Sequence, residues 1–234
     1  MKMKRLFVAC LILLGALAGA GDASKAAIDP ASGGWRSEFK VDAAAWAPTG
    51  RNAYFILEPG YRLVLEGGGV RLTITVTDQT RMVDGVETRM VEERETKNGN
   101  LAEVSRNYFA MDRNTSDVYY FGEEVDMYKG GKIVGHEGAW LSGEKGAKFG
   151  LMIPGKARIG DRYYQESAPG VAMDRARIVS VTETLKTPAG EFKDCLKVEE
   201  TTPLEPKNTE FKIYAPGIGL IKDGELLLNR HGSI

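Results

Sequence analysis

The residues best equipped for chemistry in this chain are few and lie far apart. Two histidines, His136 and His231, and two cysteines, Cys10 and Cys195, are all the imidazole and thiol groups it has. A catalytic zinc needs three His, Cys or carboxylate ligands, often with two at short spacing. The two histidines lie far apart and neither has a second histidine nearby, so no zinc site is expected. His136 in "VGHEGAW" reads as a turn or strand residue, and His231 as part of a mobile tail. Asp112, Asn114, Ser116 and Glu123 imitate positions 1, 3, 5 and 12 of a calcium loop. The imitation fails at position 6, where the turn wants glycine and the chain has Asp117. The flanks "NYFAM" and "VDMYK" read as strands, not helices. The four are a weak calcium candidate, and a polar hairpin turn using Asx hydrogen bonds is the expectation.

Nucleophiles fare no better. Ser142-Gly143-Glu144-Lys145 matches S-x-x-K, in which a lysine activates a serine at a helix start, but glycines surround it and no helix follows. No G-x-S-x-G elbow exists. Cys195 would need a histidine base beside it. In "FKDCLKV" it alternates with Phe192, Leu196 and Val198, which puts it on the more polar face with Lys193 and Lys197, either covered by another layer or partly exposed. The adjacent glutamates Glu92-Glu93, Glu123-Glu124 and Glu199-Glu200 point to opposite faces of a strand, so no pair is a catalytic dyad and solvated charge is the expectation. No catalytic residue and no cofactor follow from these patterns. Aromatics cluster in the middle third. They read either as core with cross-strand pairs or as an apolar ligand surface inside a curved sheet. On the second reading Tyr108, Tyr119, Phe121, Trp140 and Tyr164 are the ligand-binding candidates.

The elements that must position these residues are strands. In "RLTITVTD", Leu72, Ile74 and Val76 alternate with Arg71, Thr73, Thr75 and Thr77, the period of a half-buried strand. Asp84-Gly85 and Asn98-Gly99 supply the positive φ angles of two-residue hairpin turns. Strand, tight turn, strand then repeats along the chain. Trp35, Phe39 and Trp46 read either as one face of a short helix or as an extended arm laid on the main domain, and "GVAMDRARI" is the other helical candidate. The reading is mostly β: an antiparallel meander of twelve to fifteen strands forming a strongly curved sheet or incomplete barrel, with a β-sandwich as the alternative. Residues 1–20 read as a signal peptide, 21–50 as linker and aromatic arm, and 51–234 as one β domain.

The N-terminus carries the compartment. "MKMKR" is a basic start, "LFVACLILLGAL" an apolar run too short to span a bilayer, and Ala18-Gly19-Ala20 a small-residue cleavage site before Gly21. Cys10 leaves no apolar stretch before it, which argues against a lipid anchor. No transmembrane segment is expected in the mature chain, and an exported protein, periplasmic or extracellular, is. Of 31 basic and 32 acidic side chains, residues 1–20 hold three basic and no acidic ones, so the remainder is mildly negative. That balance argues against nucleic acid as a partner. Cys195 is then the only cysteine, so no internal disulfide can form, and an exported chain of this size must rest on its core.

Two stretches carry a resemblance. One is "TPAGEFKDCLKVEE", Thr187–Glu200, followed by "YAPGIGLIKD", Tyr214–Asp223. The other runs from Tyr108 to Glu166. Together they resemble exported bacterial β-rich proteins and lipoproteins that end in a Tyr-Ala-Pro-Gly-x-Gly-Leu strand. The resemblance implies the half-barrel of lipoprotein carriers as a fold analogy and transfers no catalytic residue. The G-x-G of Gly217 and Gly219 lacks the third glycine and following helix of a dinucleotide cradle. It reads as a strand end or bulge at Pro216-Gly217, with Gly219 allowing close backbone approach. The functional expectation is a non-enzymatic binding protein with an apolar ligand such as lipid on the inner face. A protein-interaction module of an envelope assembly is the rival, and a hydrolase a weaker one.

Overall fold

The structure, a computed structural model, describes residues 34–234. The signal peptide read over residues 1–20 lies outside the described residues, as does most of the linker. Among the described residues eighteen strands follow one another. They are β1 (Trp46–Ala47), β2 (Gly50–Asn52), β3 (Phe55–Leu57), β4 (Tyr61–Gly67), β5 (Val70–Val83), β6 (Val86–Lys97), β7 (Asn100–Asp112), β8 (Val118–Lys129) and β9 (Lys132–Gly135). Then come β10 (Trp140–Leu141), β11 (Lys148–Ile153), β12 (Arg162–Tyr164), β13 (Glu166–Ser167), β14 (Arg175–Thr187), β15 (Gly190–Thr201), β16 (Thr209–Ala215), β17 (Gly219–Asp223) and β18 (Leu226–Ser233). Both expected hairpin turns form: Asp84 and Gly85 have φ of 49° and 75°, Asn98 and Gly99 of 49° and 79°. The helical candidates do not form. "GVAMDRARI" runs into β14, and the arm is extended apart from one 3-10 turn at Ala43–Ala45.

The main sheet is antiparallel and orders β12-β14-β15-β16-β17-β18-β4-β5-β6-β7-β8-β11-β13. Its two end strands are consecutive in the chain and separated by Gln165 alone. The segment Arg162–Ser167 therefore pairs to β14 through its first half and to β11 through its second. This brings the curved sheet nearly to closure as a barrel, which removes the edges an open sheet would expose. Gly150 of β11 lies against the backbone of Tyr164 and Gln165, where any Cβ would collide. The free side of β12 takes Arg36 of the arm, whose N–H donates to Arg162 O and whose carbonyl accepts from Tyr164 N.

Alternation sorts the side chains. Leu63, Leu65, Leu72, Val76, Leu226 and Leu228 of β4, β5 and β18 turn inward and are buried, each worth roughly 1.5–3 kcal/mol. Outward positions carry charges paired across strands: Arg106 to Asp126 at 3.0 Å, Arg177 to Glu199 at 2.6 Å and Arg81 to Glu124 at 2.6 Å. This belt is the reverse of the apolar outer band of a membrane-spanning barrel. Among the described residues no helix is long and apolar enough to cross a membrane. The arm covers one outer patch, where Trp46 meets the rings of Tyr119, Phe121 and Phe149 edge-on at 5.3–5.8 Å. The hairpin β2–β3 forms its own two-stranded sheet. Asn52 Nδ2 donates to Ser116 O and Pro154 O, Gly217 N donates to Ala53 O, and Tyr54 OH donates to Asp194 O. These bonds fasten the hairpin over the barrel.

Candidate functional site

The adjacent glutamates read as solvated are not all solvated. Strand alternation sends one of each pair outward and the other into the barrel. Glu92, Glu124 and Glu199 face out, the last two to arginines, while Glu93, Glu123 and Glu200 are buried at 6%, 2% and 8% exposure. Glu166 of β13 and Asp223 of β17 are buried with them, and Asp174 sits half-buried at the rim. Lys212 of β16, 3% exposed, lies among these carboxyls and binds Glu200 Oε2 at 2.6 Å. Gln165 Nε2 donates to the other Glu200 oxygen at 2.9 Å. Tyr120 OH donates to Asn107 Oδ1 at 2.7 Å, and Asn107 donates to Ser105 Oγ. Five buried carboxyls and one ammonium thus form a girdle across the barrel interior.

Burial governs its electrostatics, because low dielectric disfavours the charged form of a carboxyl. Burial pushes Glu93 up to about 8, with Lys212 partly offsetting it and Asp223 adding to it. Asp223 rises to about 7 by burial, again offset by Lys212. Asp174 rises to about 6 through burial and the Glu200 charge. Glu123 and Glu166 are driven well above the carboxylate range by burial and then by neighbouring carboxyls. Burial alone would lower the Lys212 ammonium, but Glu200 and Asp223 outweigh it and hold the proton on. Near neutral pH the girdle therefore carries fewer negative charges than its residue count suggests.

An apolar cavity of about 50 Å³ lies between the β2–β3 hairpin and this girdle. Phe55 and Ile56 of the hairpin, Leu63, Ile74 and Val76 of the barrel, and Leu220 supply its apolar wall. The Tyr54 and Tyr61 hydroxyls on its lining are already bonded, to Asp194 O and Ile218 O. Two polar groups remain: Glu93, whose Oε2 has no partner, and Tyr214, whose hydroxyl has none. Phe109 and Met152 line both this cavity and a smaller void of about 10 Å³ beside Tyr120, Glu166, Glu200 and Lys212. Lys212, Glu200 and Asp174 in turn line a crevice that continues to Thr202 and Glu210.

The residues singled out from sequence are placed as follows. Tyr119 and Phe121 belong to the outer aromatic patch under the arm. Tyr108 bonds Glu124 and Arg81 on the outer face. Trp140 packs edge-on against Tyr120 at 5.3 Å, and Tyr164 lies by Arg175. The five share no single surface, and none lines the apolar cavity. Asp112 Oδ1 accepts from Asn114 N, the Asx turn, and Ser116 takes φ of 61°. Glu123 is inside the barrel, so the four residues of the calcium pattern do not converge. Among the described residues no group of three or more His, Cys, Asp or Glu side chains is placed to hold a metal ion. Ser142 Oγ donates to Asp84 Oδ2 and accepts from Phe149 N, tying a hairpin turn to β11. His136 Nδ1 faces Val125 O and Asp126, while His231 is not in a loose tail but in β18 opposite Leu63.

Cys195 is fully buried, the covered one of the two cases its polar-face parity allows. Asp194 takes φ of 53° and the β14–β15 register slips between Phe192 and Cys195, so the bulge sets these two side chains on one side of β15. Gly217 has φ of 73° and Gly219 of 108°. A Cβ at Gly219 would lie 3.5 Å from Leu63 Cδ1 and 3.7 Å from Tyr54 O, ordinary contact, so the backbone angle and not a close approach is what calls for glycine there. The interior carboxyls were missed, yet a signal for them exists. Glu93, Glu123 and Glu200 each stand two residues from a buried valine, Val91, Val125 and Val198, on the same strand face.

Fold and site together define a nearly closed antiparallel barrel, apolar along one wall and acidic along the other, with a cavity where the two meet. No family model, no curated protein and no solved structure matches this chain.

Proposed function

We propose that this protein is an exported, non-enzymatic binding protein that takes an apolar ligand into the barrel beneath the β2–β3 hairpin. The observation that carries this reading is the cavity itself: an apolar wall ending on two unpartnered polar groups, Glu93 and Tyr214. Ligand sites have this make-up, mostly apolar with a few placed polar atoms. At about 50 Å³ the space is well below the roughly 300 Å³ at which pockets begin to enclose drug-sized ligands. Anything longer than a few carbons, a lipid chain included, enters by lifting the hairpin. That hairpin is separate from the main sheet and is held by a handful of hydrogen bonds. The Tyr-Ala-Pro-Gly-x-Gly-Leu segment supports the same reading, since Ile218, Gly219 and Leu220 line the cavity.

Strand addition to a partner protein has less support. Near-closure of the ring and the cover of Arg36 over β12 leave only short strands at the margins among the described residues; β9, one of them, begins at Lys132 and pairs it with Lys129 of β8, and lysines blunt edge pairing. Native mass spectrometry of protein purified from its own envelope, with and without added apolar ligands, tests the proposal. Bound mass that Ile74→Trp abolishes supports it. No adduct from either source overturns it.

A further inference from the structure

The head group of that ligand can be read from the charges around the cavity; the inference rests on the binding reading above. We propose that the ligand carries a protonated amine, seated between the Glu93 carboxylate and the Tyr214 hydroxyl, with its apolar body against Ile74, Leu63 and Leu220. Three observations lead there. Glu93 and Tyr214 both line the cavity, and Glu93 Oε2 and the Tyr214 hydroxyl are both buried without a partner. Beyond them stands Asp223, with both carboxylate oxygens unpartnered. The one ammonium of the girdle, Lys212, is engaged with Glu200 at 2.6 Å.

An incoming carboxylate would find the one ammonium, Lys212, already engaged with Glu200. An alcohol would find a hydrogen bond and no charge partner. An ammonium brings donors to these acceptors, and once Glu93 gives up its proton the pair is the charge-assisted case. The groups facing Glu93 are Lys212 on β16, Asp223 on β17, Glu103 on β7 and Glu95 on its own strand. Only the first is cationic. Glu93 holds its proton at neutral pH, so an ammonium that pairs with it drives that proton to solvent, and binding is accompanied by release of about one proton.

Calorimetric titration of the folded protein with hexylamine, hexanol and hexanoate at pH 7, in two buffers of different ionisation enthalpy, tests this. The amine is expected to bind about 10- to 100-fold tighter than the alcohol, with hexanoate weakest and about one proton released for the amine alone. Glu93→Gln should bring the amine down to the alcohol's affinity, and Tyr214→Phe, which removes one oxygen and no volume of consequence, should weaken the amine in the same direction. Equal binding of amine and alcohol, or tighter binding of hexanoate, overturns the head-group inference and leaves the cavity reading standing. Binding of none of the three to the wild-type protein overturns both.

Discussion

Glu93→Gln should stabilise the protein at high pH and do almost nothing at low pH. The folded Glu93 carboxyl is raised from 4.5 to about 8 by burial. The folded state thus holds a proton that the unfolded chain gives up more readily. Stability from this group is complete below pH 4.5 and is lost as pH rises through about 8. At roughly 1.4 kcal/mol per pH unit, the loss between pH 5 and pH 9 is about 4 kcal/mol. Glutamine keeps the shape and cannot ionise, so the variant should gain about 4 kcal/mol on the wild type across that interval and lie within about 1 kcal/mol of it at pH 5. Urea unfolding of both proteins at pH 5, 7 and 9, followed by tryptophan fluorescence, measures the difference directly. The other interior carboxyls titrate in both proteins and largely cancel. A difference that stays flat from pH 5 to pH 9 would refute the reasoning, because Glu93 would then ionise as freely folded as unfolded.

Other consequences are as direct. Wild-type stability itself should climb as pH falls from about 8 to about 5, since Glu93, Asp223 and Asp174 are raised to about 8, 7 and 6; thermal melts across that range check the sign. Lys212→Met strands Glu200 without its cation and should cost about 3–5 kcal/mol, and adding Glu200→Gln should recover most of it, as a double-mutant cycle would show. Gly150→Ala forces a methyl into the backbone of Tyr164 and Gln165 at the closing segment, with an expected loss of about 1–3 kcal/mol in chemical denaturation. Burial, with the Asp194 and Glu183 charges, pushes the Cys195 thiol up to about 11. A thiol reagent at pH 8 should accordingly label it only at the rate of unfolding.

The strands and their turns were legible because they rest on local rules. Asp84-Gly85 and Asn98-Gly99 need positive φ wherever they stand, and Leu72 and Val76 must share a face. The aromatic arm was legible to the extent that Trp46 had to find a surface; which of helix or arm it took depended on Tyr119 and Phe149, residues far along the chain. Parity left open whether Cys195 is covered, and the bulge at Asp194 that sets it on the side of Phe192 is announced by nothing in "FKDCLKV". The acidic girdle was hidden for another reason. Each glutamate pair looks like surface charge when taken alone. Only the near-closure of the ring through Gln165 turns the inward members of β6, β8 and β15 toward a common interior.

The two walls of that interior have opposite energetics. Leu65, Leu72, Leu226 and Leu228 gain stability by leaving water, whereas every buried carboxyl without a full set of partners costs it. Replacing such groups by apolar ones is often neutral or stabilising, so the fold has no need of Glu93 or Asp223. The register brings the walls together at two points. Ile74 of the apolar wall stands opposite Glu93, and Leu220 stands opposite Tyr214. The cavity opens at these junctions, where an apolar surface and an unpaired polar atom are within reach of one small molecule. A bound ammonium would give Glu93 the partner that its folded state lacks, and the destabilisation it imposes at high pH would become binding energy.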